Sequence, residues 1–481
     1  MIEVKTKIHD NFSVEFKQSF VSGCNTGEKK KDFVVNTWIF VPSSLDINPA
    51  TYGKQQFWRD IKSNLRLITP EVELRDVTGT PLSYLKESIG RMENGISKTE
   101  TDDFEYYMKM FCSISKSSMR EGHAKVKKAA SYEDASKAFI EDLKNCMVAY
   151  WGLEEDVTKL ASQEIKTVYD FGDEYLGALA KYHSLKLLSH IEKTDPESGV
   201  RDLCRSFVNQ VDSDRKAKGF PVAEEGNQVE NNNLVHRHSV LKKFFESGLF
   251  VSLDKKKDGV AFEQTLYAIA AGLAMIFATV VSFSVQRAYG SLSIPLFFAL
   301  IFSYMIKDRI KELSRYWFVH KLSAHYFDNK SKIFVKGKVV GMMKEGLDFI
   351  SSSRTPGVVM ELRNRNSVLR KGDDFFDEHI ILYRKLVSIY PDMLDEIGSY
   401  PIEGINDIFR IHLSRFTQKM DNPEQKIPIL DENGNYSSTK GLKYYPINIV
   451  QQLREDDRIE YRRVRVIMSR NGIYSIEEIK A

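Results

Sequence analysis

Neither G-x-x-x-x-G-K-[ST] nor G-x-G-x-x-G occurs in this sequence, which removes the backbone cradles that most nucleotide enzymes use. No G-x-S-x-G is present, so a hydrolase nucleophile elbow has no support. Cysteine is scarce: Cys24, Cys112, Cys146 and Cys204 are the only four in 481 residues, and no two form a C-x-x-C pair. Few, scattered cysteines in a chain this long predict free thiols and a reducing compartment. A strong excess of either charge is also missing. The net charge of +3 is too balanced to make nucleic acid the main partner. The first ten residues, Met1 to Asp10, carry no apolar core and no small-residue cleavage site, so targeting is expected from an internal segment. A mean hydropathy of −0.34 argues against a protein of many spans.

What the chain does have is one long apolar region. Gln264 to Val285 runs 22 residues without a charge. Arg287 interrupts, and Ala288 to Ile306 then adds 19 more uncharged residues. About 20 apolar helical residues cross a hydrocarbon core of about 30 Å. Both segments therefore predict spans, joined by a short link into a transmembrane helical hairpin at 263–306. Core helices of soluble proteins rarely run this long without a charge. Lys243, Lys255, Lys256 and Lys257 precede the region, and Lys307, Arg309, Lys311, Arg315 and Lys321 follow it. Basic flanks stay inside, so the expectation is a multi-pass protein of the inner (cytoplasmic) cell membrane with both termini cytoplasmic. Tyr267, Tyr289 and Tyr304 fall near the expected interfaces. Small residues at Ala268 and Gly272, and at Ala274 and Ala278, are spaced for close helix approach. Pro295 and the serines Ser291, Ser293 and Ser303 are the unusual members of the second segment. The series Ile306, Ile310, Leu313, Trp317, His320, Ala324 and Phe327 follows a 4-3-4-3 seam. It predicts a continuous helical extension over 307–330, with the helix reaching about Phe327.

The flanking regions read as α+β. Phe12–Phe16 and Phe33–Val41 look like strands, and a helix is expected from about Gln55 to Leu67. An N-terminal α+β region over 1–98 precedes a helical bundle over 99–218, in which Asp195-Pro196 and Gly219-Phe-Pro221 act as breakers. A polar stretch opens a linker and juxtamembrane segment over 219–262. Within it, Leu234–Val251 fits a buried or an interfacial helix equally well. In the C-terminal α+β domain, 331–481, Phe375–Ile397 reads as a helix. Phe409–Leu413 and Val464–Met468 alternate as strands, and Asn471-Gly472 signals a hairpin. The fold class expected is mainly helical, with small antiparallel sheets at both chain ends that pack together into one body, plus the transmembrane hairpin.

Chemistry-bearing clusters are few. Asp431, Asn433 and Asn435 alternate as in a calcium loop, but Gly434 falls at the fourth position and no Glu sits at the twelfth, so a turn is the better reading. His183 and His190 are seven apart, too far to chelate one ion together, and Asp170 and Glu174 lie turns away. His236 and His238 point in different directions on a helix. Arg462, Arg463, Arg465 and Arg470 suggest phosphate binding, but Glu460, Glu477 and Glu478 lie where they pair across strands. No metal, cofactor or catalytic residue is implied, and no strong nucleic-acid signal appears. The partners expected are the lipid bilayer, other proteins or further copies of the chain. The function expected is an interaction, scaffold or signalling role at the membrane. Its alternatives are a membrane-tethered enzyme and an oligomeric pore-forming effector.

Overall fold

The computed structural model describes the chain except for residues 1, 25–26, 94, 195–198, 291–293, 323–326, 365–377 and 480–481. Ser291, Ser293, Ala324, Phe375 and the Asp195-Pro196 breaker lie outside the described residues, as do the side chains of Pro295 and His320. The rest divides into two units.

The sheet unit comprises Met1–Arg66, Val251–Ser399 and Glu403–Ala481. Its strands are β1 (Ile2–Asp10), β2 (Ser13–Val21), β3 (Lys31–Pro42), β4 (Ile61–Leu67), β5 (Ser252–Lys257), β6 (Asn329–Val335), β7 (Lys338–Ile350), β8 (Glu378–Ile389), β9 (Gly404–His412), β10 (Glu424–Leu430), β11 (Tyr436–Leu442), β12 (Tyr445–Glu455), β13 (Arg458–Ser469) and β14 (Gly472–Ile479). Eight of them form one sheet in the order β14-β13-β12-β3-β8-β7-β6-β5. Four more form a second sheet, β1-β2-β9-β4, and β10-β11 stands as a separate hairpin. The two ends of the chain, expected only to pack together, share sheets: β3 is flanked by β12 and β8, and β2 pairs with β9 from Ser13↔His412 to Val21↔Gly404. The sheets are not small, however. An eight-stranded sheet replaces the small terminal sheets that the sequence suggested.

The two sheets pack face to face through aromatics. Tyr383 stacks on Phe409 at 5.1 Å and Phe20 meets Phe33 at 5.5 Å across the layers, while Phe16 and Phe409, paired on neighbouring strands of the small sheet, meet at 5.9 Å. On its other face, the large sheet buries Trp38, Phe40, Ile380 and Val450 beneath Val359 and Leu362. Two expected helices are strands in whole or part. The helix placed at Gln55–Leu67 ends early, as α1 (Lys54–Asp60), and the chain continues as β4. Phe375–Ile397 holds β8 instead, in which Ile381, Tyr383, Lys385, Val387 and Ile389 are buried at period two.

The helical unit comprises Leu67–Phe250 with Tyr400–Ile402. It contains α2 (Thr80–Met92), α3 (Lys98–Val126), α4 (Tyr132–Trp151), α5 (Glu154–Lys159), α6 (Gln163–Thr194), α7 (Val200–Ala217) and α8 (Gln228–Glu246). α3 begins with a capping box in which Ser97 and Glu100 satisfy each other's backbone amides. Tyr150 stacks on Tyr169 at 4.9 Å and donates to the Tyr169 carbonyl at 2.7 Å. α8 lays one face on this bundle, with Leu234, Leu241 and Phe245 covered and Tyr175 stacked on Phe245, while Val229, Val235 and Val240 are exposed.

A buried polar chain ties the sheets of the sheet unit together. Lys385 and Asp407 form an ion pair with no exposed side-chain surface on either partner. The Ser63 hydroxyl donates to Asp407 at 2.6 Å, and Glu345 lies 4.0 Å from the Lys385 ammonium while accepting from the Tyr383 hydroxyl. Removing one member of a buried pair strands the other charge, at a cost of about 3–5 kcal/mol, whereas replacing both by apolar groups is often near neutral. Asp407→Asn should therefore lower the stability of the sheet unit by an amount in that range, and Lys385→Met with Asp407→Leu should recover most of it. Thermal or denaturant unfolding measures both; a loss below about 1 kcal/mol for Asp407→Asn would show that the pair does not hold the sheets.

Candidate functional site

Between β5 and β6 the chain leaves the sheet and returns to it. Gly259, at φ 71°, opens α9 (Val260–Tyr289), and Gly290, at φ 76°, closes it. Both positions need the left-handed backbone that glycine adopts without strain. α10 (Ile294–Leu322) brings the chain back. Because Lys257 pairs with Asn329, both ends of the excursion sit at one sheet edge.

α9 is long and apolar enough to cross a membrane. A core helix of a soluble protein is mostly covered, but α9 leaves Ile276 at 61% and Phe283 at 66% exposure. Its buried residues are Ala270 and Ala274, on the small-residue side where α10 packs.

The second expected span is not matched by α10. The Ser303 hydroxyl donates to the Ala278 carbonyl at 3.3 Å, and the Arg315 guanidinium lies 4.5 Å from the Tyr267 ring centroid. These contacts set Lys307 level with Ala274 and Lys311 level with Ala270. Ala288 and Tyr289, counted with the second span, belong to α9. What remains uncharged in α10 is Ile294–Ile306, about 13 residues or about 20 Å, against a hydrocarbon thickness of about 30 Å. Among the described residues there is thus one candidate membrane-spanning helix, not the transmembrane hairpin expected. α10 is described as far as Leu322, the next four residues of its expected reach to Phe327 lie outside the described residues, and Leu313 and Trp317 of the supposed seam are 66% and 54% exposed.

Strands β5, β6 and β7 at the foot of these helices are rich in lysine. Lys256 pairs across strands with Lys330, and Lys330 with Lys344. On the opposite face Lys255 approaches Glu345 at 3.8 Å and caps the Trp58 ring at 4.9 Å, joining β5 to the Lys385 chain.

Other clusters among the described residues are closed or self-paired. Lys385 and Asp407 are sealed from solvent, so no substrate reaches them. In the helical unit a cleft of about 540 Å³ is lined by Glu73, Arg75, Ser118, Lys125 and Asp142. Burial raises the Asp142 carboxyl above its usual range. The Ser118 hydroxyl, however, is engaged with the Val72 carbonyl at 2.6 Å and the Ile114 carbonyl at 3.0 Å, and Lys125 pairs with Glu73 at 2.8 Å. No activated nucleophile results.

The residues singled out in the sequence do not converge. Asp431 accepts the amides of Asn433 and Asn435 at 3.0 and 2.8 Å, making the turn of the β10–β11 hairpin. Glu174 is held by Arg237, Asp170 by Lys166, and His190 packs on Tyr132. Arg462 and Arg465 pair with Glu478 and Glu477, while Arg463 is buried against the Leu362 carbonyl and Asn448. Among the described residues no three His, Cys, Asp or Glu side chains are grouped to hold a metal ion. All four cysteines are free, and burial raises the thiols of Cys146 and Cys204 to about 12 and about 11. No family model, curated protein or solved structure matches the chain.

Sequence reasoning missed His123. It lies 5.8 Å from His183, both rings are buried, and neither nitrogen of His123 has a hydrogen-bond partner among the described residues. Burial lowers both imidazoles to about 4, helped by Lys127, Lys186 and His190 beside His123 and by Lys186, Arg120 and Lys116 beside His183. In the unfolded chain they titrate near 6.5. The fold therefore prefers them neutral: its stability is complete above about pH 6.5 and falls, by roughly 1.4 kcal/mol per pH unit per imidazole, as pH drops toward 4. His123→Phe with His183→Leu should flatten that dependence in circular-dichroism melts of the helical signal. An unchanged slope in the double variant would locate the acid sensitivity elsewhere.

Proposed function

We propose that this chain is a membrane-tethered interaction protein, in which α9 enters the bilayer and holds the sheet unit at its surface. The observation that carries this reading is the bare apolar surface of α9 joined to a closed strand edge. Among the described residues little covers its Ile269, Met275, Ile276 and Phe283 side chains, and a bilayer is the solvent that accepts them. The β5–β6 ladder supports one-sidedness. The chain that departs after Lys257 resumes pairing at Asn329, and both terminal strands, β1 and β14, belong to the same unit. Lys255–Lys257 at the foot of α9 favour the cytoplasmic side for that unit.

An interaction role fits the surface better than catalysis. The sheet unit buries its ionic chemistry, while the β10–β11 hairpin presents Ile427, Leu430 and Tyr436 at 45%, 73% and 79% exposure. Exposed apolar and aromatic side chains on an arm of this kind suit a protein partner or a second copy of the chain.

The strand edge supplies the test. Since Lys257 and Asn329 are direct partners, residues 258–328 can be replaced by a two-residue Asn-Gly turn that makes β5 and β6 a hairpin. The intact chain should resist alkaline carbonate extraction from membranes, and the turn variant should appear in the soluble fraction with a cooperative melt. A folded turn variant that still sediments with membranes would overturn the reading.

A further inference from the structure

We propose that the outer face of β5–β6–β7 binds the phosphate headgroups of anionic lipids, an inference that rests on the membrane reading above. The feature is a row of like charges. Lys256, Lys330 and Lys344 sit directly opposite one another on three adjacent strands. Neighbouring strands are about 4.8 Å apart, so three ammonium groups are set within about 10 Å, and like charges placed directly opposite destabilise a sheet. Lys332 lies on the same face, one pleat along. The alternation is fixed by burial: Ser331, Ile333 and Val335 turn inward with Met343, Glu345 and Leu347, which leaves the even-numbered lysines of β6 and β7 outward.

Asp348, further along β7, is taken up by Arg384 at 2.6 Å, and two carboxylates reach the lysines themselves. Asp254 meets Lys256 at 2.9 Å and Asp258 meets Lys344 at 2.9 Å. Four lysines against two aspartates leave the face positively charged. Its position names the occupant. Lys256 stands four residues before α9 begins, and Lys330 is the second residue of the strand to which the chain returns. The row therefore stands at the sheet-side foot of α9, the end from which that helix would enter a bilayer. There the abundant complement to a cationic row is lipid phosphate. Lys344 at 25% side-chain exposure and Lys256 at 73% give the face a shallow and a reaching member, which suits headgroups lying alongside the strands.

The full-length chain in lipid nanodiscs tests this. Discs of phosphatidylcholine alone are compared with discs of phosphatidylcholine and phosphatidylglycerol, and lipids that stay bound through a wash in zwitterionic detergent are counted by mass spectrometry. The intact chain should retain phosphatidylglycerol preferentially, and high salt should weaken the preference. Each basic side chain near an anionic surface contributes on the order of a fivefold factor, so Lys330→Gln with Lys332→Gln should cut the preference by about tenfold or more. Lys426→Gln with Lys440→Gln, on the exposed β10–β11 hairpin, should leave it unchanged and controls for total charge. An equal preference in the Lys330/Lys332 variant, or its abolition by millimolar inorganic phosphate, overturns the proposal while the membrane reading stands. A chain that runs apart from the discs overturns both.

Discussion

The sheet unit is organised around a lysine that water does not reach. Lys385 on β8 is held by Asp407 on β9, and these strands belong to different sheets, so the pair bridges the two layers. Such an arrangement contributes little net stability compared with an apolar contact, but it is intolerant of misalignment, since any register in which Lys385 faces inward without Asp407 leaves a bare buried charge. The Ser63 hydroxyl brings β4 to the same carboxylate, and Glu345 carries the chain of contacts through β7 to Lys255 on the edge strand β5. One polar thread thus runs from the small sheet to the strand from which the membrane helix departs.

That thread also explains where the sequence misleads. β8 and β4 are the strands whose pattern suggests helix, and they carry Lys385 and Ser63. A buried strand announces itself by apolar residues at period two. Placing a lysine at an inward position of β8 breaks the alternation, and the adjacent Arg384 and Lys385 then look like one solvated helical face. Strands with a cleaner pattern, such as Phe33–Val41, Phe409–Leu413 and Val464–Met468, are legible, as is the Asn471-Gly472 turn. The sheet order is not, because β3 pairs with β12 across some four hundred residues, a contact that no local periodicity encodes. The His123–His183 pair is hidden for the same reason: it forms between α3 and α6, far apart in the chain.

The membrane region shows how composition and register can disagree. Counted along the sequence, the uncharged residues make two spans of similar length. In three dimensions the turn falls at Gly290 and three of those residues belong to the turn and the end of α9. The helices then pack so that the charged start of α10's second half lies beside Ala270 and Ala274, the very residues whose small side chains permit the close approach. Hydropathy fixes how much apolar chain exists, whereas the depth at which charges appear depends on where the turn is made and which small residues meet.

Strand alternation keeps two roles of β5 apart. Lys255 points inward, to Glu345 and the Trp58 ring, and belongs to the structural thread. Lys256 points outward, in the row with Lys330 and Lys344. A slip of one residue would exchange these faces, taking Lys255 away from Glu345 and the Trp58 ring and breaking the row that Lys256 makes with Lys330. Three features oppose the slip: Leu253 opposite Ile333 on the inner face, the Asp258–Lys344 ion pair where β5 ends, and the left-handed Gly259 that fixes where the helix begins. Edge strands are ordinarily free to shift or to recruit foreign strands, and inward and outward charges on an edge prevent both. In β5 those charges also set the height of α9 above the sheet, because the helix starts four residues after Lys256 is locked in its row. The position of the apolar helix relative to the cationic face is therefore a consequence of sheet register, which is in turn held by Lys255, Glu345, Lys385 and Asp407.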